Sequence, residues 1–263
     1  MMQSWHRPHY IIPQAKWRWL LWVCFILYLI VATASIDLHW SRVLEGFERG
    51  WRFVDAFLHP NFTTRWSDIQ SGMIESLTMS LTSTFVGILL SIPVGIGAAS
   101  NISTKSIYAL CRFFISISRS MQEVIVAIFL VALFGFGTFA GFLTLTFATI
   151  GFLAKLLAEE IEGIHKAPLE AIRATGASWL QTLHYAIMPQ IMPRLVGLWL
   201  YRLDINFRES AVIGIVGAGG IGATLNTAIE RYEYDSAAAV LLLIIAIVFL
   251  CEYVSGYLRK WFI

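Results

Sequence analysis

Charge is what this chain has least of. Only 14% of its 263 residues are Asp, Glu, Lys or Arg, against 57% hydrophobic, and the mean hydropathy is +0.69, far from the balance of an average soluble domain. The net charge is +2 and the basic residues are scattered, which excludes a nucleic-acid-binding surface. No G-x-x-x-x-G-K-[ST] string occurs, so this chain does not hold ATP in a Walker loop. The three cysteines, Cys24, Cys111 and Cys251, stand in apolar stretches without C-x-x-C spacing and read as buried, inert packing residues. Since roughly 20 apolar helical residues cross a bilayer, the chain has room for about six spans and none for a separate soluble domain. Any catalytic engine belongs on another chain.

What is present in abundance is apolar helix. Stretches at about 17–36, 75–100, 107–134, 138–158, 190–214 and 236–258 predict an all-α polytopic membrane protein with about six transmembrane helices. Placing both termini in the cytoplasm puts Arg7, Lys16, Arg18, Lys105, Arg112, Lys166, Arg173, Arg194, Arg259 and Lys260 inside. Outside lie Arg42, Arg49, Arg52, Arg65 and Arg231, and that imbalance favours the orientation. Residues 1–74 read as a transmembrane anchor followed by an amphipathic external loop, and 75–263 as the core. The basic start and the Ala32-Thr33-Ala34 tail also fit a signal peptide, but the apolar run is long enough to remain as an anchor. In the loop, Trp40, Val43, Leu44, Phe47, Trp51, Val54 and Leu58 recur at helical steps, as in a helix lying on the membrane surface. Glu45 with Arg49 and Glu48 with Arg52 are spaced to pair across one turn.

Two features mark the core helices. Ser83, Gly87, Ser91, Gly95 and Ala99 repeat every four residues, a small-residue stripe that lets a second helix come close. The stretch 107–134 is too long for one upright span. Its polar part, with Arg119 and Glu123, is expected to project beyond the membrane as a polar helix end or to form a cytoplasmic gate.

Between the fourth and fifth stretches lies a polar hairpin, residues 170–189. Pro168 suits a helix start, Gly176 a helix end, and Ser178-Trp179-Leu180-Gln181 a capping box for the next helix, with Pro189 opening the fifth span. Glu170, Ala171, Gly176 and Pro189 fall in register with the EAA loop of bacterial ABC importer permeases, which this hairpin resembles. Ile172, Ala186 and Met188 depart from that pattern. The resemblance implies a type I ABC importer permease fold and a cytoplasmic coupling loop near 160–189. It implies that Glu170, Ala171, Arg173, Gly176 and Pro189 dock on an ATPase subunit that carries ATP and Mg.

The fifth stretch is polar for a span. On insertion scales a charge at a helix centre costs about 2.5–3.5 kcal/mol, yet Arg202, Asp204, Arg208 and Glu209 all occur here with Asn206. At 100° per residue Arg202, Asn206 and Glu209 share one face and Asp204 with Arg208 another. The first set reads as lining a passage for an anion or as interhelical glue, the second as a structural pair. The following Gly217-Ala218-Gly219-Gly220-Ile221-Gly222 satisfies a dinucleotide expression without its strand–turn–helix context. It reads as a conformational turn or gate loop, with anion contact as the alternative.

Residues 201–222, with Arg173-Ala174-Thr175-Gly176-Ala177 and Met188-Pro189-Gln190, closely resemble phosphonate ABC transporter permeases over roughly 75–263. That likeness implies a second permease copy, two ATP-binding subunits, an extracytoplasmic phosphonate-binding protein and residence in the bacterial inner membrane. Cargo would be a phosphonate, phosphite or phosphate ester. The alternatives are a permease for methionine or another small metabolite, a passive channel, or an intramembrane metal-dependent enzyme built on Glu159, Glu160, His165 and His184. Those four match no metal-ligand spacing such as H-E-x-x-H, and no metal is expected.

Overall fold

The computed structural model describes residues 14–35 and 40–262. Arg7 and the side chains of Trp40, Arg49, Arg259 and Lys260 lie outside the described residues. Every regular element among those described is helical, and the chain divides into two compact units, residues 1–52 and 53–263.

The first unit holds α1 (Ala15–Ala34) and most of α2 (Trp40–Ala56). No residue of α1 is buried, so Cys24 is exposed and the buried position expected of it is corrected: a helix apolar on every side suits a lipid surround as well as a protein core. Helix α2 forms where the periodicity places it. Val43, Leu44, Phe47 and Trp51 are exposed along one face, and Glu48 pairs with Arg52 at 2.7 Å.

The second unit is built on α3 (Trp66–Gly97) and α6 (Thr138–Glu162). Helix α3 crosses residue 74 without a break, because Ile69 and Gly72 in its first turns already pack inward. Ile69 is 2% exposed, and a Cβ on Gly72 would lie 2.8 Å from Thr224 Oγ1. The small-residue stripe packs as its spacing predicts. Ser83, Gly87, Ser91, Gly95 and Ala99 are all buried, with Gly87 against Thr149 and Gly95 against Leu157 of α6. Glycine there lets the two backbones approach beyond the limit any side chain would set.

The overlong stretch is not one helix. Helices α4 (Lys105–Ser120) and α5 (Glu123–Phe134) meet at 94°, because Met121 and Gln122 are extended at φ −92°, ψ 128° and φ −70°, ψ 139°. Arg119 closes the last turn of α4 and Glu123 opens α5, each complementing the dipole of its helix end. The remaining helices are α7 (Lys166–Ala174), α8 (Trp179–Thr182), α9 (Met188–Ile215), α10 (Ile221–Glu230) and α11 (Tyr234–Phe262), with a π-helical segment Leu183–Ile187 between α8 and α9. Among the described residues four helices are apolar and long enough to cross a membrane, α1, α3, α6 and α11, and the bent α4–α5 pair is apolar enough for a fifth, as a broken span or a re-entrant loop. The sixth expected span is α9, 28 residues long, whose charges keep it from qualifying on hydropathy.

Both ends of the helix bundle are clasped. At the hairpin end Arg112 donates from Nε to the Ala98 carbonyl at 2.9 Å and from Nη2 to Glu162 Oε1 at 2.9 Å. Asn101 Nδ2 donates to the Ile161 carbonyl at 2.7 Å. At the opposite end Arg65, its side chain 10% exposed, grips Glu233, with Nη2 donating to Oε1 at 3.1 Å. The hydrogen bond from Arg65 holds the Glu233 carboxyl below the usual carboxylate range. Asn61 donates to Asp235 beside it.

Candidate functional site: the coupling hairpin and the membrane-depth polar cluster

The hairpin is a rigid extension of α9. Pro168 is the third residue of α7, and Leu169, on the inner side, is 7% exposed in a cluster with Ala98, Ile161, Ile187 and Ile191. The backbone N–H of His165 donates to Gln190 Oε1 at 3.0 Å, and Gln190 Nε2 donates to the Ala186 carbonyl at 2.7 Å, so one side chain of α9 ties down the start of α7. Helix α7 ends where Gly176 turns at φ +79°, a conformation that costs glycine little. The capping box forms as predicted: Gln181 N–H donates to Ser178 Oγ at 3.4 Å and Ser178 N–H to Gln181 Oε1 at 2.8 Å. The chain then runs through α8 and the π segment, where Met188 N–H donates to the Leu183 carbonyl, directly into α9. Pro189 is the second residue of α9 and is exposed.

Glu170, Ala171, Arg173 and Gly176 are exposed on the outer side of this hairpin. Trp179 and Leu180, at 50% and 68% exposure, and Tyr185 are exposed too. Charges beside bare aromatic and aliphatic side chains make a surface fit for a protein partner.

The polar residues at membrane depth collect into one cluster. Arg202 is 3% exposed; its Nη2 meets Glu123 Oε1 at 2.9 Å and its Nε donates to Thr149 Oγ1 at 3.0 Å. Asn206, fully buried, donates from Nδ2 to Thr84 Oγ1 at 2.8 Å and to Thr149 Oγ1 at 2.9 Å. This one amide joins α3, α6 and α9. Arg119 and Arg202 both stand over the Phe152 ring, at 5.7 and 5.3 Å from its centroid. Glu209 is half-buried, with Glu123, Arg202 and Arg208 as charged neighbours. The structure therefore brings Arg119, Glu123, Arg202, Asn206 and Glu209 together, but with Arg202 and Asn206 inside the bundle. Asp204 and Arg208 form the expected pair at 3.3 Å and differ in burial, 8% against 53% of the side chain exposed.

The glycine loop has its anion already. Gly220 N–H donates to Glu75 Oε2 at 3.0 Å and Ile221 N–H to Ser76 Oγ at 2.9 Å, so α3 supplies the acceptors at the start of α10. Gly219 and Gly220 turn at φ +78° and +74°. The Gly217 carbonyl accepts from Gly137 N–H at 3.0 Å, and Gly222 packs against the Ala211 carbonyl. Sequence reasoning missed Glu75, Ser76, Thr84, Thr149 and Phe152. The carboxylate of Glu75 near the start of an apolar stretch was the one available signal; the threonines blend into their helices.

The residues considered for metal are dispersed. Glu159 pairs with Lys155 and Glu160 with Arg194, while the His184 ring lies against Tyr185. Among the described residues no three His, Cys, Asp or Glu side chains gather as a metal would require.

Comparison with known proteins agrees with this geometry. The family described as "Binding-protein-dependent transport system inner membrane component" matches residues 91–263. A phosphate-import permease protein, PhnE, of Mycolicibacterium smegmatis is 41% identical over 202 residues, covering 76% of this chain and 38% of that protein. This chain thus spans well under half the length of that relative. The phosphite transport system permease protein PtxC of Stutzerimonas stutzeri is 39% identical over 223 residues, 84% of this chain and 81% of PtxC. Among solved structures, an inward-facing MetNI methionine ABC transporter chain aligns at TM-score 0.63 and 24% identity, over 74% of this chain and 96% of that one, a likeness of fold. Because the family match takes in the hairpin, α9 and the glycine loop together, this chain belongs to the binding-protein-dependent inner-membrane transport components and is a permease subunit of an ABC transporter rather than an enzyme.

Proposed function

We propose that this permease imports phosphonates or related phosphorus oxyanions, phosphite and phosphate esters among them, by alternating access driven by ATP on a partner. The observation that carries the proposal is the continuity of hairpin and α9: the surface fit for a partner and the helix bearing the membrane-depth cations are joined without a loop, through the π segment Leu183–Ile187. At 1.5 Å per residue α9 spans about 42 Å, enough to carry a displacement at α7 across a hydrocarbon core of about 30 Å. The names of the relatives, phosphate-import and phosphite permeases, support the cargo class. The assembly has a second permease copy and two ATP-binding subunits, which hold ATP and Mg and dock on Glu170, Ala171, Arg173, Gly176 and Pro189. An extracytoplasmic binding protein delivers the ligand. The hairpin end and both termini face the cytoplasm, in the bacterial inner membrane. The glycine loop 217–222 gates the opposite mouth, held shut by Glu75. Arg119, Glu123 and Glu209 reach the passage, while Arg202 and Asn206 stiffen its wall.

Uptake into proteoliposomes tests this reading. With ATP on the hairpin side and a phosphonate-loaded binding protein on the other, the wild-type transporter accumulates phosphonate. Gly176→Pro abolishes uptake while the protein stays in the membrane, because proline's φ near −65° is incompatible with the +79° found there. Uptake of methionine in place of phosphonate, or uptake without ATP, would contradict the reading.

A further inference from the structure

The cation that sequence reasoning places in the passage is buried, and the one it treats as structural is exposed. Beyond the first two turns of α9 the exposed side chains are Tyr201, Arg208, Val212 and Ile215, at steps of seven, four and three residues, so they form a single stripe, which Arg194 continues seven residues before Tyr201 at the hairpin end. On one flank Arg202 and Asn206 turn inward to Glu123, Thr149 and Thr84. On the other flank Asp204 lies in a groove with Leu250 and Cys251 of α11. The stripe carries two cations: Arg194 at the hairpin end, paired with Glu160 at 3.1 Å, and Arg208 deeper along the helix.

Its depth gives the exposure meaning. Arg208 stands seven residues before the end of α9 at Ile215, about 10 Å along the axis, with Ile205 and Val212 one turn to either side. A 28-residue helix standing upright and centred on a hydrocarbon core of about 30 Å overhangs it by some 6 Å at each end, and on that placement Arg208 lies about 4 Å inside the core. Lipid is a costly neighbour for a guanidinium there; water in a passage is not. Its recorded hydrogen bond is a single one, Nη2 to Asp204 Oδ2 at 3.3 Å, out of five N–H donors. The buried carboxylate of Asp204 thus holds one corner of the fork and leaves the rest turned outward.

We propose that Arg208 is the guanidinium that receives the phosphorus oxyanion in the passage, and that Arg202 is a buried strut fixing the rotation of α9 that presents it. The planar fork matches two oxygens of a tetrahedral oxyanion, and the neutralised cargo then crosses the apolar levels at Val212 and Ile205. Asp204 is the positioning residue. This inference rests on the cargo class and the aqueous passage proposed above.

Two measurements on the assembled transporter test it. In a background with Cys24, Cys111 and Cys251 replaced, Arg208→Cys is expected to react with an anionic, membrane-impermeant methanethiosulfonate at least tenfold faster than Phe249→Cys, an exposed position on the apolar helix α11. Equal reactivity of the two positions overturns the passage-facing placement, and this readout needs no transport. In otherwise native protein, Arg208→Gln is expected to raise the KM for phosphonate uptake at least tenfold with the dimer intact by size, and Arg208→Lys to recover part of the loss. A reactive position 208 together with normal uptake by Arg208→Gln overturns the inference alone. A wild-type transporter that carries no phosphorus oxyanion overturns the function reading and this inference with it.

Discussion

Buried arginine in a membrane helix has to be held, and Arg202 shows how. Its guanidinium spends one donor on Glu123, one on Thr149 and its face on Phe152. A hydrogen bond to a charged group contributes about 1.5–3 kcal/mol, and removing one partner strands the other charge. Arg202→Gln and Glu123→Gln are each expected to lower the thermal midpoint of the detergent-solubilised protein by several degrees, and the double variant to lose less than their sum. Strict additivity in that cycle would show that the pair is not coupled. At this scale the sequence was half legible. Helical geometry separates Arg202, Asn206 and Glu209 from Asp204 and Arg208 by azimuth alone, because azimuth depends only on spacing. Which face looks inward depends on Thr84, Thr149 and Glu123, which lie 50 or more residues away and leave no mark on α9 itself.

At the scale of elements, the contact between α3 and α6 is set by the absence of side chains. A Cβ on Gly87 would run into Thr149 Cγ2, and Thr149 is also the residue that bonds Arg202 and Asn206. Gly87→Val therefore presses on the polar cluster as well as on the helix pair. Overpacking of this kind costs about 1–3 kcal/mol, and the expected outcome is reduced yield of folded protein on fluorescence-detected size exclusion, with Gly50→Val, at a position with open space around it, close to wild type. Equal yields from both would contradict the packing. The stripe was readable because its period is local, and so were the caps of the hairpin, since Gly176, Ser178 and Gln181 act on neighbours within three residues. The 94° break between α4 and α5 was not. It occurs at Met121-Gln122 without the glycine or proline that usually marks such a bend, and only the cluster of polar residues around Arg119 and Glu123 hinted at it.

Across the whole molecule, apolar surface is given to lipid, and the charges at membrane depth belong chiefly to α9 and its partners. Where six stretches were counted there are four plain apolar helices, one broken pair and one charged helix; a helix that walls the proposed passage carries polar side chains. The hairpin is also tied to this span, because Leu169 packs in the core beside Ile187 and Ile191 and Gln190 of α9 accepts from the start of α7. The most direct test of this account is ATP hydrolysis by the reconstituted transporter, with its ATPase and a binding protein, measured with and without phosphonate for wild type and Glu170→Lys. The account predicts hydrolysis stimulated by phosphonate in the wild type and unresponsive in Glu170→Lys, with the variant still in the membrane; stimulation that survives Glu170→Lys would contradict the assignment of this hairpin as the coupling element.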